Sequence, residues 1–158
     1  MSVSSSQAQV LSEFSTAVRE STLKRLRRVP VGHENWRPAA GMMSFGELAL
    51  HILDADGWLQ RKVTNPNLAP MQWRPESSRR VSRDDYSHLL ECLTVAGTAR
   101  GTLIAQFTED KLSEYVPDAR FPGNVTWWYV IVRGNLDHEI HHRGQIATYL
   151  RLLDLTNS

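Results

Sequence analysis

Residues 136–153 read LDHEIHHRGQIATYLRLL. Together with the residues just before it, this stretch places Ile131, Asn135, His138, His142, Gln145, Tyr149 and Leu152 in alternating steps of four and three. That is the period of a helix with one face against a core. The ends of the seam are apolar or aromatic, and its middle is polar. The helix is expected to begin near Asn124 or Thr126 and to run to about Leu153, roughly 28 residues or ~42 Å at ~1.5 Å per residue. Trp127 and Trp128 would pack at its lower end.

Three further runs share the helical period. From about Gln7 to Arg28 the apolar positions are Val10, Leu11, Phe14, Ala17, Val18 and Leu26, and Pro30 stops the run. Ser44 with Glu47 forms a capping box ahead of Phe45, Leu48, Ile52, Ala55 and Leu59, and this helix is expected to stop near Thr64. Ser82 is the expected N-cap of a third helix, with Tyr86, Leu89, Leu93, Ala96, Leu103 and Phe107 as its stripe. Residues 65–81 form a proline-rich connection from which Met71 and Trp73 would tuck onto the bundle. Tyr115 to Phe121 reads as extended but too short to suggest a sheet. Four amphipathic helices make an all-α four-helix bundle, residues 1–158 as a single domain. The middle connection is long enough to cross over and set helices two and three parallel.

Composition narrows the function. The net charge is +1 and apolar residues make up 41%. That balance excludes the strongly basic surface of a nucleic-acid binder. Lys24, Arg25, Arg27 and Arg28 read as a solvated helix face, and so does the group Arg74, Arg79, Arg80 and Arg83 in its loop. The lone Cys92 allows no internal disulfide. No apolar run is long enough for a membrane span, and the opening MSVSSSQAQ lacks the pattern of a signal peptide. A cytoplasmic protein is expected.

The chemistry concentrates in histidines. His138 and His142 lie four apart, on one helix face, where two imidazoles can converge on one ion. His51 falls beside the buried stripe of helix two. Three histidines from two helices, with an open position for water, form the pattern of a catalytic-type metal site. Spacing alone leaves a second reading open, in which they are hydrogen-bonded core residues. His141 turns away from the pair, four residues from Asp137. Glu139 precedes Arg143 by four, as in a surface ion pair. Gly144 suggests the close approach of another helix or of a loop. His33 reads as a loop residue. HEIHH also matches the metalloprotease pattern H-E-x-x-H, but the region after His142 is poor in further ligands. A di-iron carboxylate bundle needs a second E-x-x-H pair that the chain lacks.

The run LDHEIHHRGQIATYLRLL, with ELALHILDADGWL at residues 47–59, resembles the DinB-like (DinB/YfiT) metalloenzyme family. Matching motif positions are His138, His142, Arg143, Gly144 and Gln145, with His51 on helix two. The resemblance implies up-down-down-up topology, with a divalent ion held by His51, His138 and His142, and a homodimer. Zinc or nickel leads, with iron or manganese next. It also implies transfer of a low-molecular-weight thiol to a small electrophilic substrate, the metal holding the thiol as thiolate. Arg143 or another arginine would bind a carboxylate of that thiol. The alternatives are a metal-dependent hydrolase of a small substrate, and a non-enzymatic, stress-related bundle with a structural ion. A closed structural site would take a fourth ligand from Asp54 or Gln145, less readily from Asn135.

Overall fold

Small side-chain oxygens start the helices. In this computed structural model, which describes residues 5–72 and 79–156, Ser6 accepts the Gln9 N–H at the head of α1 (Gln7–Leu26). Ser44 and Glu47 form the expected capping box on α2 (Phe45–Thr64), and Ser82 and Asp85 form another on α3 (Arg83–Ala105). A short α4 (Glu109–Ser113) leads into β1 (Tyr115–Pro117), which pairs antiparallel with β2 (Asn124–Thr126). Thr126 then caps α5 (Trp127–Ile131), a π turn spans Val132–Leu136, and α6 (Asp137–Thr156) follows. Among the described residues no helix is long and apolar enough to cross a membrane.

The architecture is an all-α bundle of a few long helices. α1 packs on α3 and α6, and α2 packs on the same two helices. The apolar core comes in two parts. One gathers Leu23 and Leu26 of α1, Phe45, Leu48 and Ile52 of α2, Tyr86, Leu89 and Leu93 of α3, and Ile146, Tyr149 and Leu153 of α6. The other gathers Leu11, Trp58, Leu59, Ile104, Trp127, Val130, Ile131 and Leu136. Met71 packs against this second part; Trp73 and Arg74 lie outside the described residues.

Between the two, each long helix contributes charge. Arg19 donates from Nε and Nη2 to the two oxygens of Glu139, both at 2.9 Å, and from Nη2 to Asp56 Oδ2 at 2.7 Å. Arg100 donates from Nη1 to Glu139 Oε2 at 2.6 Å and to Asp56 Oδ1 at 3.0 Å. Its other nitrogens reach Ser15, and Arg19 Nη1 reaches the Leu93 carbonyl. None of the four charged side chains is more than 4% exposed. Gly97 makes room for the layer, since a Cβ there would sit 2.6 Å from Arg19 Cγ.

This layer corrects the reading of several residues. Glu139 does not form a surface pair with Arg143; it is buried on two arginines from other helices. The buried face of α6 therefore runs through Glu139, His142, Ile146, Tyr149, Leu150 and Leu153, and Leu152 is exposed. On α1, Val10, Phe14 and Ala17 are exposed while Ser15, Arg19 and Thr22 are buried. On α3 the lower stripe passes through Gly97, Arg100, Gly101 and Ile104, with Ala96 and Leu103 only half-buried. Hydrophobic periodicity missed these faces because charged and small residues occupy them. Gly144 has open space around it rather than a close neighbour. The final helix is not continuous, because the π turn interrupts it. The β1–β2 hairpin also pairs segments that the sequence reading kept apart.

Burial alone would push the Glu139 carboxyl up, yet the hydrogen bonds from Arg19 and the charges of Arg100 and Arg19 hold it down at about 2, against an ordinary 4.5. A lowered carboxyl pKa gives stability that is complete above the unfolded value and drains as pH falls towards the folded one. Acid unfolding of the wild-type protein should therefore draw on Glu139 between about pH 4.5 and about 2. Glu139→Gln is expected to cost ~3–5 kcal/mol in urea denaturation at pH 7, because two buried guanidinium groups lose half their counter-charge. The variant's unfolding free energy should fall less steeply with pH across that acid window.

Candidate metal centre

α2 and α6 run side by side just beside the charged layer. Asn135 Nδ2 donates to the Ala55 carbonyl at 3.2 Å, and its Oδ1 accepts from Arg100 at 3.3 Å. That tie sets His51 of α2 opposite His138 of α6. Only Asp137 separates the π turn from His138; Ile131 below the turn, Asn135 within it, and Glu139 and His142 above it are all buried.

Three histidines meet there. His138 Nε2 lies 2.8 Å from His51 Nε2 and 3.1 Å from His142 Nε2. All three residues present ring nitrogens within 4.8 Å of one another. His142 Nδ1 donates to Gln145 Oε1 at 2.7 Å, which leaves the His142 Nε2 lone pair facing its neighbours. Gln145 thus orients an imidazole. Asp54, the other candidate for a fourth ligand, is exposed and outside the cluster.

Neutral imidazoles cannot satisfy this arrangement by themselves. With the His142 Nε2 proton absent, His138 Nε2 either spends its single N–H on one contact and has no lone pair to accept from the other, or is unprotonated and sets its lone pair against that of His142. His138 Nδ1 is buried without a partner in either tautomer. A shared cation resolves the conflict, because every Nε2 then acts as a lone-pair donor. The spacings are also close to the ~3.0–3.4 Å that two nitrogens at ~2.0–2.1 Å from one ion would keep. Burial, helped by His142, His51 and Arg120, holds the His138 pKa down at about 3. Burial likewise takes His142 to about 4, although its bond to Gln145 opposes this, and lowers His51. At neutral pH all three are uncharged, as metal ligation requires.

The triad divides two cavities. One, of about 250 Å³, is lined by His51, Ala55, Trp58, Met71, Arg120, Gly134 and His138. The other, of about 230 Å³, is lined by Gly41, Met42, Met43, His142, Gln145 and Tyr149. Among the described residues neither lining includes a carboxylate.

The remaining histidines stay outside the cluster. His141 is exposed with its ring against His142, and Asp137 pairs with Arg133 instead of His141. His33 lies in its loop, half-buried, and His88 is exposed beside Glu91 and Cys92. Glu139, the would-be water activator of an H-E-x-x-H protease, is held by Arg19 and Arg100 and faces away from that role. Sequence reasoning missed Arg19, Asp56 and Arg100. The signal was present for two of them: Asp56 lies four after Ile52 and three before Leu59, and Arg100 lies seven after Leu93 and four before Ile104, both on core stripes.

Known proteins share this plan. The chain is 25% identical over 143 residues to an uncharacterised protein of Bacillus subtilis (strain 168), YjoA, covering 90% of this chain and 88% of that one. The crystal structure of that DinB-like protein superposes with a TM-score of 0.67 at 23% identity over 91% of each chain. A conserved protein from Enterococcus faecalis superposes with a TM-score of 0.74 at 21% identity, over 94% of this chain and 98% of that one. The two superpositions are likenesses of fold. Residues 16–146 match the DinB superfamily. With that match spanning most of its length and a buried histidine triad at its centre, the chain belongs to the DinB superfamily.

Proposed function

We propose that this chain is a divalent-metal-dependent enzyme that transfers a low-molecular-weight thiol to a small electrophilic substrate, with His51, His138 and His142 as the metal ligands. The observation that carries the proposal is the convergence of three uncharged Nε2 atoms that lack a satisfying proton arrangement, on the wall of a cavity whose described lining has no carboxylate. Zinc or nickel suits three imidazole donors, with iron or manganese next. The bundle is proposed to be a single-domain, cytoplasmic homodimer of up-down-down-up topology. In support of the topology, Ser12 meets Gly101 and Leu26 meets Tyr86, whereas Gly46 lies against Val81 and Asp56 reaches Arg100. Those pairs fit α1 antiparallel to α3, and α2 parallel to it.

When bound, the ion would supply the positive charge that lowers a thiol pKa and holds the thiolate. The protein's own groups do the rest. The three imidazoles present lone pairs. Gln145 keeps His142 in the tautomer that leaves Nε2 free. Trp58, Met71 and Ala55 give the larger cavity an apolar wall that limits water. Water activation by metalloproteases uses a carboxylate general base beside the ion. That no described lining residue of either cavity is a carboxylate favours thiol transfer over the hydrolase reading. A structural ion is disfavoured because the described His, Cys, Asp and Glu residues add no fourth member to the cluster.

Metal content of untagged protein, measured by plasma mass spectrometry, should be near one ion per chain and should vanish in the His51→Ala, His138→Ala, His142→Ala triple variant. Metal-free wild-type protein that also refuses zinc, nickel, iron and manganese would overturn the proposal. Gln145→Ala should weaken zinc binding about 10–100-fold in chelator competition, with little change in the fold by circular dichroism.

A further inference from the structure

The three proposed ligands are neutral, so an ion held by them would keep its full double charge. The surrounding groups do not compensate it. The layer of Arg19, Arg100, Asp56 and Glu139 balances within itself. On the wall of the larger cavity stands Arg120, with Asp118 and Lys62 near it but outside the lining. Asp118 is 4% exposed and its oxygens are spent on Arg120, at 2.9 Å from Nε and 2.6 Å from Nη2. The Lys62 ammonium is buried on the carbonyls of Pro66 and Pro117. Among the described lining residues Arg120 is the one cation, beside two neutral imidazoles and apolar groups, and none is an anion.

Arg120 is built into that wall with donors to spare. Its guanidinium lies over the Trp58 ring, 4.1 Å from the centroid, and Nη1 donates to the Gly134 carbonyl at 2.8 Å. A side chain at position 134 would displace this guanidinium, since a Cβ there would stand 2.5 Å from Nη2. Three of the five guanidinium N–H groups are engaged within the protein, which leaves two. The side chain is 27% exposed, and it lines the same cavity as His51 and His138.

We infer that Arg120 is the specificity-determining residue of the site, selecting a small acid that carries a second, metal-binding anionic atom. The thiolate end would sit at the histidines, a carboxylate would take the free N–H groups of Arg120, and an apolar link would pass Trp58 and Met71. The inference rests on the metal-site reading above and supplies the charge class of its ligand. It assigns the carboxylate to Arg120 in place of Arg143.

Cobalt-loaded protein tests it by binding alone. Thiolate ligation is read from the sulfur-to-cobalt charge-transfer band during titration with 3-mercaptopropionate, 4-mercaptobutyrate, 2-mercaptoethanol and cysteamine. At least one of the two acids should bind about tenfold or more tighter than the neutral thiol, and the cationic thiol should bind weakest. In Arg120→Gln the ratio of acid to 2-mercaptoethanol affinity should fall to about one. In Arg120→Lys, which keeps a charge beside Asp118 and guards against a variant that does not fold, it should shrink to about threefold. Equal binding of acidic and neutral thiols by the wild type, or a preference that stays undiminished in either folded variant, overturns the inference and leaves the metal site standing. Folded protein that takes up no cobalt overturns both.

Discussion

Two arginines and two carboxylates, one charge from each of the four long helices, meet almost wholly buried between the two apolar parts of the core. Taking such charges out of solvent is expensive, and only near-complete pairing repays it. Here the pairing is nearly complete: each carboxylate accepts from both guanidinium groups, and the leftover donors find Ser15 and the Leu93 carbonyl. A slip of any one helix by a turn would strand a buried charge. The layer therefore sets the axial register of the bundle in a way that leucine packing, tolerant of small shifts, would not.

The histidine cluster inherits that register. Glu139 follows His138 directly, Asp56 lies little more than a turn beyond His51, and Asn135 ties α6 to α2 between them. Fixing the charges fixes the imidazoles to within hydrogen-bond distance of one another. A π turn, Val132–Leu136, links the Trp127–Ile131 segment to α6, and both present buried faces to the core. The turn's carbonyl at Gly134 receives Arg120 and so holds the cation facing the ligands across the cavity. An open, positively charged pocket beside three neutral donors suits chemistry on an anionic ligand better than a purely structural ion.

Much of this was legible in the linear sequence. Ser44 with Glu47, and Ser82 before two aspartates, marked helix starts through bonds that span only three residues. Phe45, Leu48, Ile52, Ala55 and Leu59 marked a buried face because each is apolar and the period is 3.6. His138 and His142 shared a face for the same geometric reason, and His51 stood out as a polar residue beside an apolar stripe. The reading failed where burial and polarity part company. Glu139 and Arg143 satisfy the spacing of a surface pair, so nothing local argues for a buried glutamate. Arg19 looked like any exposed arginine, and Phe14 looked like core.

By itself, then, the sequence determined what depends on neighbours along the chain: helix period, caps, breaks at proline, and which histidines share a helical face. Tertiary structure alone decided what depends on groups far apart in the chain. Arg19 meets Glu139 across 120 positions and Asp56 across 37, and Lys62 meets Pro117 across 55. Whether a charged side chain is buried depends on the presence of its partner, and that partner arrives only when the helices pack. The approach of His51 to His138, the strand pairing of residues 115–117 with 124–126, and the placing of Arg120 on the cavity wall have the same origin. Each is a free-energy balance between desolvation and pairing that only the assembled bundle can strike.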